Sequence, residues 1–238
     1  MKLFNKQRFR FLEGKDFKKY LKYAFGEIVL VVIGILIAVS INNWNQRKQL
    51  DSANVELREN IIKQLDKDIA SISAFQQNLD TLQKNYLNYL KANDSINPIP
   101  GDVLGSLLFE VNTMDLDSHV MTMIDNATLN QSKASEELLN LNSTYKIYKE
   151  ELAAIERLIF TGITENLKEI ERSQDWYIEF VTNLVCKNDC IHYFYNDKHH
   201  KARIASLRFL YINGYGQTIA NLKEDLIGYR GDLDAIAD

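Results

Sequence analysis

The chain has 238 residues, of which 46% are hydrophobic and 25% are charged. This composition is typical of a folded globular protein and excludes a largely disordered one. The ten glycines and two prolines are few for this length, and both prolines, Pro98 and Pro100, lie in one place. Long stretches therefore contain no helix breaker, and we predict an all-α fold.

The net charge of −4 is distributed unevenly along the chain. Residues 1–44 carry eight Lys or Arg against three acidic residues, so residues 45–238 hold 20 basic and 29 acidic residues. An acidic domain lacks the basic face that neutralises phosphates when nucleic acid binds. We therefore expect no nucleic-acid partner.

A segment near the N-terminus is long and apolar enough to cross a lipid bilayer. Residues 28–44, IVLVVIGILIAVSINNW, carry no charge, and a helix of about 20 residues spans the hydrocarbon core. Tyr20, Tyr23 and Trp44 lie where the interfacial aromatic belts are expected. We predict a transmembrane helix at residues 23–44 that acts as an uncleaved signal anchor. The sequence Ala38-Val39-Ser40 leaves a cleaved signal peptide as the alternative.

The charges that flank this segment predict its orientation. Residues 1–22 form a basic arm, whereas the first 26 residues after Trp44 carry five basic and five acidic residues. Because positive charge is retained in the cytoplasm, the N-terminus is expected inside. Residues 45–238 are then expected on the far side of the membrane.

The residues from Tyr23 to Asn45, YAFGEIVLVVIGILIAVSINNWN, resemble the N-terminal signature of an uncharacterised family of single-span proteins common in Bacteroidota. The signature of that family reads YAxGEIxLVxxGILIAxxINNWN. A weaker similarity extends from Thr128 through Leu141 to Tyr145. The resemblance implies an inner-membrane protein of a Gram-negative envelope, with a periplasmic domain and no established activity or cofactor.

Two features inside the predicted span suggest functions beyond anchoring. Gly34 and Ala38 form a small-xxx-small pair, which allows another helix to pack closely. Glu27 is an ionisable residue, and such residues within a span are often functional. Glu27 either reaches water or Lys22 at the cytoplasmic interface, packs against another helix, or couples ion movement as in a stator-type subunit.

After Trp44 the apolar residues follow helical spacing. From Ile61 to Tyr89 they recur at steps of three and four, which predicts one helix with a single apolar stripe. No Gly or Pro separates Gly34 from Pro98, so the span and a stalk helix over about 45–92 are expected to be continuous. About 75 helical residues would measure roughly 110 Å. The stripe is interpreted as the core face of an elongated helical bundle, with a self-associating coiled coil as the alternative.

The remaining elements of the predicted bundle, residues 102–230, are also helical. The stalk helix should end near Lys91, because residues 93–101 contain both prolines and several turn residues. Three further features of the bundle are predicted. The first is a short helix that is capped by Asp102 and reaches about Glu110, and the second is a helix over 119–126. The third is a long helix or helical pair from Ser132 to about Leu184, capped by Ser132 or Ser135 and kinked at Gly162. A turn at Asn188-Asp189 and a last helix over about 201–229, bent at Gly214-Tyr215-Gly216, follow.

Two cysteines, Cys186 and Cys190, flank the predicted Asn-Asp turn. In a periplasmic domain we expect them to form a structural disulfide of modest stabilising effect. Together with His192, His199 and His200 they are also weak candidates for a zinc site. The spacing matches no familiar zinc motif and an oxidised pair cannot bind metal, so we predict no metal, and outside such a site the histidines are expected to be solvated.

No catalytic pattern stands out elsewhere in the sequence. The chain contains no GxSxG, HExxH, GxxxxGK[ST] or GxGxxG motif. Three of its four histidines are clustered late in the chain, and His119 stands alone. An aromatic group near the cysteines is either core or a binding patch, with core packing favoured. Its members are Trp176, Tyr177, Phe180, Tyr193, Phe194 and Tyr195.

The sequence therefore predicts a membrane-anchored helical protein that acts by interaction, as a scaffold or a sensor-like module, without catalysis and without a cofactor. A homo-oligomer or a membrane-protein partner is expected. An ion-coupled stator-type subunit that uses Glu27 is the alternative, and a periplasmic enzyme of the cell wall is a weaker one.

Overall fold

The computed structural model of the chain describes residues 17–92, 101–183 and 185–236, without the side chains of residues 17–20, 101 and 102. All regular elements in these ranges are helices, so the predicted all-α fold is confirmed. The helices are α1 (Phe17–Lys91), α2 (Gly101–Phe109), α3 (His119–Asp125), α4 (Lys133–Ser173), α5 (Tyr177–Asn183), α6 (Asp189–Asn196), α7 (Lys198–Phe209), a π-helical segment (Leu210–Tyr215) and α8 (Gly216–Ala235).

Some sequence predictions fall outside the described part of the chain. They concern residues 1–16 of the basic arm, the break at 93–100, and the side chains of Tyr20 and Asp102. The chain divides into two compact units, residues 1–53 and residues 54–238, and each is described by itself. The described part of the first unit is entirely helical.

The second unit has a core built on the apolar stripe that the sequence predicts. Ile61, Leu65 and Ile72 are completely buried, and Tyr86 and Tyr89 are buried near the end of α1. These side chains pack with residues of α4, α7 and α8 in one hydrophobic core. The stripe is thus covered by the chain itself, as the bundle interpretation predicts. Each such side chain stabilises the fold by about 1.5–3 kcal/mol.

The ends of the main helices follow from local chemistry. The predicted end of the first helix near Lys91 is confirmed. Ser132 caps α4, as one of the two predicted candidates, because its hydroxyl accepts a hydrogen bond from the backbone N–H of Ser135 at 3.2 Å. This bond satisfies one of the free donors of the first turn. The predicted helical pair is also found, since α4 ends at Ser173 and α5 follows it.

Gly162, where a kink is predicted, lies at a close contact between two helices. Helix α4 runs through Gly162 without interruption, and a Cβ atom at this position would lie 2.9 Å from Cδ2 of the buried Leu207. Glycine therefore permits the close approach of α4 and α7. The predicted bend at 214–216 coincides with the end of the π-helical segment, so α7 and α8 are joined without a loop. Helix α6 is an element that the sequence interpretation missed.

Substitutions at Gly162 and at Gly228 should change the stability of the fold in opposite directions. Gly162→Val should lower the free energy of unfolding by about 1–3 kcal/mol, because the added methyl groups overpack the contact with Leu207. Gly228→Ala is the matched control in α8, where an added Cβ meets nothing within 4 Å. It should raise stability by about 0.5–1 kcal/mol. Thermal unfolding of the full chain in mild detergent measures both. A melting temperature that is unchanged in Gly162→Val would contradict the close approach.

Candidate functional site

The apolar segment of the first unit is uncovered on every side. The six consecutive residues from Ile28 to Ile33 are all exposed, by 38% to 74%, and 3.6 residues complete a helical turn. No described residue therefore covers any face of the helix here. Among the described residues this is the one helix long and apolar enough to span a membrane, with a mean hydropathy of 2.7 over 18 residues and none of that window buried.

The three residues singled out in the span lie on this uncovered helix. Gly34 and Ala38 are one turn apart and exposed, and none of the described side chains comes within 4 Å of a Cβ built at Gly34. Glu27 is exposed at the start of the apolar run. The surface around Gly34 and Ala38 is free to receive another helix.

Cys186 and Cys190 form a disulfide in the turn between α5 and α6, with their Cα atoms 5.3 Å apart. Asn188, inside the ring, has a φ of 43°, a region that L-residues seldom adopt and that asparagine tolerates better than most. The backbone N–H of Cys190 donates to the carbonyl of Lys187 at 3.0 Å. The disulfide therefore holds the predicted turn and fixes the start of α6.

The aromatic residues around this turn form part of the core. The ring of Trp176 lies 5.4–5.9 Å, between centroids, from those of Phe180, Tyr193 and Phe194. Phe194 is completely buried and Phe180 nearly so. This burial agrees with core packing rather than with a surface binding patch. Of the remaining two aromatics, Tyr177 is half-buried and Tyr195 is buried.

The histidines beside the disulfide do not come together. His192 and His199 are exposed, whereas His200 is completely buried. The expectation that all of them are solvated is therefore wrong for His200. No group of three His, Cys, Asp or Glu side chains in the described part of the chain is arranged to hold a metal ion, and both sulfur atoms are engaged in the disulfide.

His200 belongs to a buried polar group instead. Its Nδ1 lies 3.1 Å from Oδ1 of the buried Asn166, and Nε of Arg203 donates to the same oxygen at 2.9 Å. The backbone N–H of His200 donates to the side chain of Asp197 at 2.6 Å. Burial, followed by the positive charge of Arg203, lowers the pKa of His200 to about 4. His200 is therefore neutral near pH 7 and closed to solvent.

A second buried polar pair joins α1 to α4. The Tyr145 hydroxyl donates to the carboxylate of Asp68 at 2.5 Å, and the Gln64 amide donates to its other oxygen at 2.9 Å. Burial raises the pKa of Asp68, and these two hydrogen bonds partly offset the effect. Burial and the nearby Asp68 raise the pKa of Tyr145. The pair links α1 to α4 through two residues that lie 77 positions apart in the sequence.

Sequence reasoning missed Asp68 and Asn166, although a signal was present. Asp68 lies between Leu65 and Ile72 at steps of three and four, and Asn166 lies between Ile163 and Ile170 at the same steps. Each polar residue therefore occupies a core position of an apolar stripe. Buried polar side chains at such positions require hydrogen-bond partners. The structure supplies them to the Asp68 carboxylate and to the Asn166 carbonyl oxygen, whereas the buried Nδ2 of Asn166 has none among the described residues.

The fold and the uncovered helix define an all-α protein with one candidate membrane span. A family model described as a family of unknown function (DUF6090) matches residues 27–99. This range begins at Glu27 and includes most of the signature segment together with the part of α1 that carries the apolar stripe. The chain is thus similar to that family over this range. No curated protein and no solved structure matches the chain.

The buried histidine predicts a loss of stability on acidification. The pKa of His200 is about 4 in the folded chain and 6.5 for an ordinary histidine, so between these values the unfolded chain binds more protons. Stability should therefore fall as the pH drops from 6.5 to 4, by up to about 3 kcal/mol. Melting temperatures of the full chain across this range measure the effect.

His200→Asn should remove this pH-dependent component, because asparagine does not titrate. His192→Asn is the control, since His192 is exposed, and it should retain the pH dependence of the wild type. An identical pH profile for wild type and His200→Asn would contradict the burial of a neutral imidazole.

Proposed function

We propose that the chain is a single-pass protein of the bacterial inner membrane. The basic N-terminal arm lies in the cytoplasm and the helical domain lies in the periplasm. This proposal rests on the apolar helix, whose exposed side chains favour a hydrocarbon environment that the described part of the chain does not provide. The basic residues before the segment support the orientation, and the disulfide supports an oxidising compartment for the domain.

We further propose that the protein acts by interaction, as a scaffold or a sensor-like module, without catalysis of its own. The perturbed titratable groups of the domain support this proposal. Asp68, Tyr145 and His200 are buried and bonded to other side chains, so no substrate reaches them in the folded domain. Their arrangement serves packing between helices rather than proton transfer to a ligand.

The proposed partner of the span is a second copy of the chain, packed through Gly34 and Ala38. Small residues one turn apart allow two helix backbones to approach closely, and such contacts hold helices together in a bilayer. The open surface at Gly34 supports this packing. Under the alternative, an ion-coupled subunit, Glu27→Gln would abolish function while leaving the packing intact.

Gly34→Leu should weaken self-association in the bilayer by about tenfold, which corresponds to about 1.4 kcal/mol. The leucine side chain fills the space that the partner backbone would occupy. Energy transfer between donor-labelled and acceptor-labelled full chains in lipid vesicles measures the effect. Val32→Leu is the matched control, because residue 32 lies on nearly the opposite face of the helix.

Energy transfer that falls in both variants would indicate a general effect on the span. Transfer that persists unchanged in Gly34→Leu would contradict packing through this surface.

A further inference from the structure

The chain between α2 and α3 contains a segment, residues 110–114 (the edge segment), that is bonded to two tyrosines of the π-helical segment. The backbone N–H of Asn112 donates to the hydroxyl of Tyr211 at 3.0 Å. The backbone N–H of Met114 donates to the hydroxyl of Tyr215 at 2.9 Å. The segment is not helical, so these bonds replace the backbone pairing that a helix would give it.

The bonds of the two tyrosines alternate along the segment as they would along an extended chain. Tyr211 and Tyr215 are four residues apart in the π-helical segment, and their hydroxyls accept from the backbone N–H groups of Asn112 and Met114, which are two residues apart. The Tyr211 hydroxyl also donates to the carbonyl of Glu110 at 3.5 Å, two residues before Asn112. In an extended chain, the backbone groups of successive residues point to opposite sides.

In that conformation the backbone groups of the alternate residues, Val111 and Thr113, face away from the tyrosines. No described residue hydrogen-bonds to either backbone. The edge segment thus presents free donors and acceptors at the spacing of a strand edge, and such edges bind a further extended chain.

A groove lies beside this free edge. Val111 and Thr113 form one wall, and Arg157, Phe160 and Thr161 of α4 form the other, around an open volume of about 460 Å³. Val111 is 42% exposed and Phe160 is 61% exposed. The groove therefore combines an unpaired backbone edge with apolar surface on both walls.

Arg157 places a positive charge in the groove, next to the carboxylate of Glu156. The residues one turn away from it on α4 are Ala153, Ala154, Phe160 and Thr161, none of them acidic. No described carboxylate lies within ion-pair distance of its guanidinium group. Glu156 also lines the groove, but its carboxylate accepts a hydrogen bond from the Tyr215 hydroxyl at 2.9 Å. Arg157 is thus available to a carboxylate from outside the chain.

We propose that this groove binds an extended acidic segment of another protein. The bound segment adds as a strand to the edge at Val111 and Thr113, and directs a carboxylate to Arg157. A second side chain, apolar and two residues away on the same side of that strand, lies between Val111 and Phe160. The free backbone edge selects a peptide over other ligands, and the charge of Arg157 selects an acidic one.

The proposal extends the interaction role to a specific surface and does not depend on packing of the membrane span. Loss of peptide binding at the groove would leave the self-association tested with Gly34→Leu unaffected. Loss of that self-association would likewise leave peptide binding unaffected. The test uses the full chain in mild detergent and a phage-displayed library of seven-residue peptides as the probe.

Selected peptides should share an Asp or Glu two residues from an apolar residue. The best of them, made synthetically with a fluorescent label, should bind the wild type and lose affinity by at least about tenfold in Arg157→Glu. Replacement of the acidic residue by lysine should restore binding to Arg157→Glu. Leu158→Ser is the matched control, because Leu158 is exposed on α4 but does not line the groove, and it should bind as the wild type does.

Thr113→Pro removes the free N–H of the edge and should abolish binding. If this variant has a lowered melting temperature, methylation of alternate backbone amides in the peptide gives the same information on the unchanged protein. Methylation of the amides that face the edge should abolish binding, and methylation of the others should not. Absence of any enriched acidic peptide, or equal binding to wild type and Arg157→Glu, would overturn the proposal.

Discussion

The main physical constraint on this protein is a stretch of apolar surface that its described residues leave uncovered. Eleven Ile, Leu and Val side chains between Ile28 and Ile41 are exposed, most of them by about half. At about 1 kcal/mol for each half-exposed side chain, water contact would cost on the order of 10 kcal/mol. That figure is comparable to the whole folding free energy of an ordinary domain, about 5–15 kcal/mol. A hydrocarbon environment would remove this cost.

In the second unit the apolar surface is buried instead, because its helices pack their apolar stripes against one another. Ile61, Leu65 and Ile72 from α1 pack in one core with residues of α4, α7 and α8. Polar residues inside that core, such as Asp68 and Asn166, make the packing specific, since the Asp68 carboxylate and the Asn166 carbonyl oxygen each bond to a side chain on another helix. Any slip of one helix against another would leave a buried polar group without a hydrogen bond, at about 1–3 kcal/mol.

Features set by neighbouring residues were predictable from the sequence, and features set by distant ones were not. The end of α1 near Lys91, the Ser132 cap and the turn at Asn188 follow from local signals within a few residues. The burial of His200 depends on Asn166, 34 residues away, and periodicity does not reveal such pairings. Likewise, the edge segment at 110–114 is held by tyrosines about 100 residues further along the chain. Its free backbone groups are visible only once that pairing is known.

The most direct measurement of the central claim is the accessibility of single cysteines on the two sides of the span. Lys6→Cys and Ser52→Cys are each labelled with a membrane-impermeant maleimide in spheroplasts, where Cys186 and Cys190 do not react because they are joined in a disulfide. A membrane-crossing helix with a cytoplasmic N-terminus predicts that Ser52→Cys is labelled in intact spheroplasts and Lys6→Cys only after lysis. It also predicts that both remain in the membrane fraction at the full mass of 27.5 kDa. Labelling of both cysteines before lysis, protection of both, or release of a shortened chain would contradict it.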